Sequence, residues 1–127
     1  MSYSNPVTAV YSYGEHDFGA ASETFRFKGP AGKKGYLVDV NVSATEVFTN
    51  TTTEGAVKVG SAEAGAQYVN MGLGTLADKA TQNASDTAAD VVLRDLPADT
   101  AIWVQLLAPT GGTPSGKGFV QIIVNWY

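Results

Sequence analysis

His16 is the only histidine in the chain, and it stands between Glu15 and Asp17. An imidazole beside two carboxylates is a donor set for a divalent cation, or the start of an acid–base relay. Neighbouring residues of a strand point to opposite faces, so these three converge only in a turn. A solvated turn after a first strand is the expectation, and no metal ligand is assigned. The other carboxylates (Glu23, Asp39, Glu46, Glu54, Glu63, Asp78, Asp86, Asp90, Asp95, Asp99) are spread along the chain. Glycoside hydrolysis needs two of them facing across a cleft, and their spacing singles out no pair. A serine nucleophile needs a positioned base. No G-x-S-x-G elbow is present, and Gly60-Ser61-Ala62 does not complete one. The run Gly111-Gly112-Thr113-Pro114-Ser115-Gly116-Lys117-Gly118 has the composition of a phosphate loop, but a strand pattern follows it where a helix is required. It reads as the loop of a hairpin. With no cysteine, thiolate nucleophiles, zinc–thiolate sites and disulfides are excluded. The reading is of a protein that is not an enzyme, with no metal and no cofactor.

Tyr3, Tyr11, Tyr13, Tyr36, Trp103, Trp126 and Tyr127 could together make a stacking platform for sugars or bases. On strands, however, aromatic residues more often fill cores and interfaces. Eight Lys and Arg against twelve Asp and Glu give a net charge of −4, with Lys33-Lys34 the only adjacent cations. That balance argues against nucleic acid, whose phosphates call for a basic surface. No apolar run approaches the roughly 20 residues needed to span a bilayer, so no membrane partner is expected. The opening MSYSNPVTAV has neither the basic nor the apolar region of a secretory signal. The Asn-x-Ser/Thr triplets at Asn41, Asn50 and Asn83 are therefore read as chance matches.

The elements that must position these residues are strands. Period-two alternation dominates. Residues 7–13 put Val7, Ala9, Tyr11 and Tyr13 on one side. Residues 22–28 turn Phe25 and Phe27 inward. Residues 36–45 set Tyr36, Val38, Val40, Val42 and Ala44 against Leu37, Asp39, Asn41, Ser43 and Thr45. Shorter strands are expected at 56–59, 68–73 and 91–93. Two more occupy 101–107 and 120–127, joined by a loop over 108–118. Residues 76–90 show no apolar stripe at helical spacing and read as a long polar loop. Pro97 and Asp99 mark a turn. At 127 residues, the chain is one all-β domain, a β-sandwich of about eight strands, with residues 1–6 as a mobile N-terminal arm.

The two C-terminal strands carry a further signal. Ile102, Val104 and Leu106 alternate with Trp103, Gln105 and Leu107; Val120, Ile122, Val124 and Trp126 alternate with Gln121, Ile123, Asn125 and Tyr127. The second set of each strand is too apolar for a face left in water. Trp103, Leu107, Ile123 and Tyr127 are thus the expected contact face for a partner, unless the chain's own N-terminal segment covers them.

The run Phe25-Arg26-Phe27-Lys28-Gly29-Pro30-Ala31-Gly32-Lys33-Lys34-Gly35 resembles small β-sandwich proteins of tailed bacteriophages. So do Leu96-Pro97-Ala98-Asp99-Thr100, Ala108-Pro109-Thr110-Gly111-Gly112-Thr113-Pro114 and the closing Trp126-Tyr127. The likeness is to virion proteins, in particular capsid cement or decoration proteins. It implies a jelly-roll-like sandwich that docks on the major capsid protein and forms a dimer or trimer at a local symmetry axis. It implies location on the capsid surface of the virion, after synthesis in the host cytoplasm. It transfers no catalytic residue. A tail or head-fibre component and a carbohydrate-binding module are the alternatives.

Overall fold

The computed structural model describes residues 7–63 and 65–127; the proposed arm, residues 1–6, lies outside them. Among the described residues nine strands are formed: β1 (Val7–Asp17), β2 (Glu23–Phe27), β3 (Gly35–Thr49), β4 (Ala56–Gly60), β5 (Val69–Gly72), β6 (Thr81–Asn83), β7 (Asp95–Leu96), β8 (Ile102–Leu107) and β9 (Ser115–Trp126). They build two antiparallel sheets. One has the order β1-β9-β3-β6, with the short β7 also paired to β3; the other has the order β2-β8-β4-β5. Apart from β7, the first strand pairs with the last, the second with the next to last, and so inward to β4 with β5. That nesting is a jelly roll.

The inward residues of both sheets meet in one core. Ile102, Val104 and Leu106 of β8 and Val120, Ile122, Val124 and Trp126 of β9 are all buried, as their alternation predicts. Burial of this apolar surface, at about 25 cal/mol per Å², is the main favourable contribution to folding.

Three connections differ from the expectation. The loop between β8 and β9 joins strands of different sheets, so it is a crossing of the sandwich and not a hairpin. Residues 76–90 contain β6 and a 3-10 turn at Ala84–Asp86. They are anchored by Leu76, packed on the core, and by the buried Ala84. Gln82 of β6 donates from Nε2 to the Gly72 carbonyl of the opposite sheet at 2.7 Å. Residues 91–93 are not a strand. Val91 makes one bridge to Val69, and Val92 and Leu93 are exposed.

Bulges decide which side chains face inward. On β3 the pairing with β9 skips a residue between Leu37 and Asp39. An extra residue reverses the inside–outside parity of all that follow. Leu37 is therefore buried and Tyr36 exposed, the reverse of the uninterrupted alternation, whereas Val40, Val42 and Ala44 are buried as expected. Arg94 holds the bulge open. Its Nη1 donates to the carbonyls of Leu37 at 2.9 Å and Val38 at 2.7 Å, and its guanidinium lies 5.7 Å from the Tyr36 ring centre. Asp39 completes the lock by accepting from the N–H of Val40 and from both the N–H and the hydroxyl of Ser85.

Trp126 closes one end of the core. It is 1% exposed, and a Cβ on Gly29 or Gly35 would meet its ring at 2.5 and 2.7 Å. Glycine is required there because the backbone lies against the indole. Tyr11 stacks on Phe27 at 4.1 Å and Tyr13 on Phe25 at 4.8 Å, so aromatic pairs join β1 to β2 along the side of the sandwich.

Candidate docking surfaces

A bulge also settles the lone histidine. The pairing of β1 with β9 skips a residue between Tyr13 and His16, which turns His16 inward. Its exposure is 8%. Nε2 donates to the Ala21 carbonyl at 2.9 Å, and the ring meets Phe18 edge to face at 4.7 Å. Glu15 instead faces outward and accepts a hydrogen bond from Thr45 at 2.8 Å. His16 is thus part of the wall of the core, within a strand and not in a solvated turn. Among the described residues, no group of three or more His, Cys, Asp or Glu comes together as a metal site, and no pocket is formed. The stretch with a phosphate-loop composition is divided, because Ser115 to Gly118 belong to β9.

Among the described residues, two groups have shifted acidities. Burial raises the phenol of Tyr68 above its ordinary value and raises the carboxyl of Asp90 likewise. Both belong to the margin of β5, where the Asp90 carbonyl accepts from Asn70 N–H and the Tyr68 carbonyl from Val92 N–H.

What the fold does expose is a pair of sheet faces. On the outer face of the five-stranded sheet, the register aligns rows of side chains across the strands. Thr8, Asn125 and Tyr36 form one row, Val10, Ile123 and Asp39 the next, then Ser12, Gln121, Asn41 and Asn83, then Phe119, Ser43 and Thr81. Tyr36 pairs in turn with Asp95 of β7, so the first row ends on an exposed carboxylate. Asp39 is the other charged residue of these rows, and it is taken up by Ser85. Val10, Tyr36 and Phe119 are exposed. Hydroxyls and amides pair among themselves: Thr8 donates to Asn125 Oδ1 at 2.7 Å, and Ser43 and Thr81 share a bond of 3.1 Å. Asn41 Oδ1 is shielded from solvent without a hydrogen-bond partner among the described residues. A buried acceptor left unpaired costs stability. A sheet face with few charges that mixes apolar and amide groups has the composition of an interface.

The four residues expected to form one contact face are divided. Ile123 and Tyr127 lie outward on or beside β9, in the five-stranded sheet. Trp103 and Leu107 lie outward on β8, in the four-stranded one. The outer faces of a sandwich point in opposite directions, so no single flat partner covers all four. Trp103, Leu107 and Ile123 are half-buried, and Tyr127 is 48% exposed. Arg26 covers Trp103, its guanidinium carbon 5.3 Å from the ring centre. The aromatic platform is dispersed in the same way. Tyr11, Tyr13 and Trp126 serve the core and its margin, whereas Tyr36 and Trp103 occupy opposite faces; Tyr3 lies outside the described residues.

The sequence alone singles out neither Val10 nor Phe119, and it offers Tyr36 only as part of the aromatic platform. Val10 had a signal, since it is the one apolar residue on the Thr8–Ser12 side of its strand. Tyr36 was hidden by the bulge after Leu37.

No family model matches the chain, and no curated protein or solved structure matches it either.

Proposed function

We propose that this protein is a structural component of a bacteriophage virion, a cement or decoration protein that docks on the major capsid protein and stabilises the shell. It works without catalysis, as an oligomer on the capsid surface. The observation that carries the reading is the outer face of the five-stranded sheet, where Val10, Ile123, Phe119 and Tyr36 lie among mostly uncharged polar groups, with Asp39 and Asp95 the carboxylates of their rows. Burying such a face against a partner releases apolar surface from water and leaves few charges to desolvate.

The stretches with the phage-protein likeness add support, because three of them pack as one unit. Lys34 and Tyr127 exchange backbone hydrogen bonds at 3.0 and 2.9 Å, and Gly32 N–H donates to Asp99 at 2.9 Å. Leu96 pairs beside Gly35 on β3, next to Trp126. The likeness thus rests on residues that build one end of the sandwich together.

The mechanism is mass action. A protein that binds the assembled shell in preference to its free subunits shifts the balance toward assembly, and many copies of a modest interface suffice. The test is co-sedimentation with shells of the source virus that lack this protein. Saturable binding at a fixed ratio to the capsid subunit, lost in Phe119→Lys, is expected. Failure of the folded protein to bind such shells would overturn the proposal.

A further inference from the structure

The four sheet edges are not alike. β6 is three residues long. The margin of β5 is occupied by residues 90–92. β2 carries Glu23 and Arg26, charges of the kind that protect an edge. β1 is eleven residues long, pairs only with β9 among the described residues, and has no charge from Val7 to Gly14. Every second residue of such a strand directs its N–H and C=O away from the sheet, ready to pair with another strand.

The sequence of this edge is self-complementary about Val10. When two copies run antiparallel with Val10 opposite Val10, Ala9 faces Tyr11, Thr8 faces Ser12 and Val7 faces Tyr13. Inward residues meet inward residues, with a small or slender side chain opposite each aromatic ring. Outward, hydroxyl meets hydroxyl. Thr8 Oγ1 gives its proton to Asn125 and keeps lone pairs to accept from Ser12 of the second copy. Val10 is 53% exposed, and on the two-fold axis its side chain would pack against its own counterpart.

We infer that β1 is a dimerisation strand: two copies of the chain pair antiparallel through Val7 to Tyr13, with Val10 on the two-fold axis. The pairing makes one continuous sheet across the dimer and joins the outer faces of the two five-stranded sheets into a single surface. It stands independently of shell docking, and either can fail without the other.

The chain has no cysteine, so a single introduced thiol is an unambiguous probe. Two antiparallel partners directly opposite each other have Cα atoms about 4.5 to 5.5 Å apart, within disulfide reach. Purified protein should sediment at equilibrium as twice the 13.3 kDa of one chain. Val10→Cys should oxidise to a covalent dimer, and Tyr36→Cys, also exposed but two strands away, should not. Val10→Lys, checked for folding by circular dichroism, should weaken the dimer roughly tenfold or more by setting like charges face to face. A native protein that sediments as a monomer would overturn the inference. So would a dimer that cross-links through Tyr36→Cys and not through Val10→Cys.

Discussion

Trp126 donates its indole N–H to the hydroxyl of Tyr11 at 2.9 Å, which ties the end of β9 to the middle of β1. The bond closes a triangle of rings, because Tyr11 also stacks on Phe27 and Phe27 meets Trp126 edge to face at 6.4 Å. Tyr11→Phe keeps the ring and removes only the acceptor. The indole N–H is then orphaned inside the core, at a cost of about 1 to 3 kcal/mol. Urea denaturation should show a lower midpoint with an unchanged slope. In the Trp126→Phe background, the same change should cost much less, since no donor remains to be stranded.

Asp39 carries a second prediction. It accepts three hydrogen bonds, two of them from Ser85, and so fastens the 3-10 turn to the bulge of β3. Asp39→Ala should destabilise the fold by about 1 to 3 kcal/mol through the unpaired backbone donors. Amide exchange should speed up first at Val40 and Ser85. Equal acceleration throughout the sheet would show that Asp39 acts on the whole fold and not as a local clamp.

Tyr68 gives a pH dependence. Burial raises its phenol above the ordinary 10.0, so the folded state favours the neutral form more than the unfolded state does. The sign follows from linkage: the folded state retains the proton longer, so stability falls as pH rises above the unfolded value and through the folded one. Its contribution is complete below 10.0 and is lost above it. Tyr68→Phe should therefore show a flatter decline of the unfolding midpoint at alkaline pH, while the two proteins differ little in their pH response near neutrality. Parallel curves throughout would rule out Tyr68 as the titrating group.

The elements were legible where alternation runs without interruption. Ile102 to Leu107 and Val120 to Trp126 face inward and outward as their pattern requires, and the fold class follows from such strands. Legibility stopped at the bulges. A single extra residue near Val38 put Leu37 inside and Tyr36 outside, and another before His16 buried the histidine. Bulges are fixed by contacts distant in sequence, here Arg94 reaching Leu37 and Val38, so a local pattern does not reveal them. The division of Trp103 from Ile123 had the same origin. Adjacent strands in sequence suggested one hairpin, but the topology assigns them to different sheets.

Asn41 separates stability from docking. Its Oδ1 is shielded and unpaired, an arrangement that costs stability in the isolated chain. Asn41→Val replaces the amide with a β-branched side chain suited to a strand, and should raise stability by about 1 kcal/mol. Asn41 belongs to the Ser12–Gln121–Asn83 row of the proposed docking face, and if its side chain meets the shell, the same variant should bind shells more weakly. Raised stability with unchanged binding would remove Asn41 from the contact.

The two faces of the sandwich can be tested against each other, because they point in opposite directions. Trp103→Ala changes only the four-stranded face, and Phe119→Lys only the five-stranded one. Both side chains lie outside the core, so both variants should remain folded. In co-sedimentation with capsid shells, Phe119→Lys should abolish binding, and Trp103→Ala should leave it within about twofold of the parent, as surface substitutions outside a contact do. The opposite pattern would transfer the contact to the four-stranded face, where Arg26 lies over the Trp103 ring. Loss of binding in both would require a partner that grips the sandwich from two sides, as a protein wedged between neighbouring capsid subunits would be held.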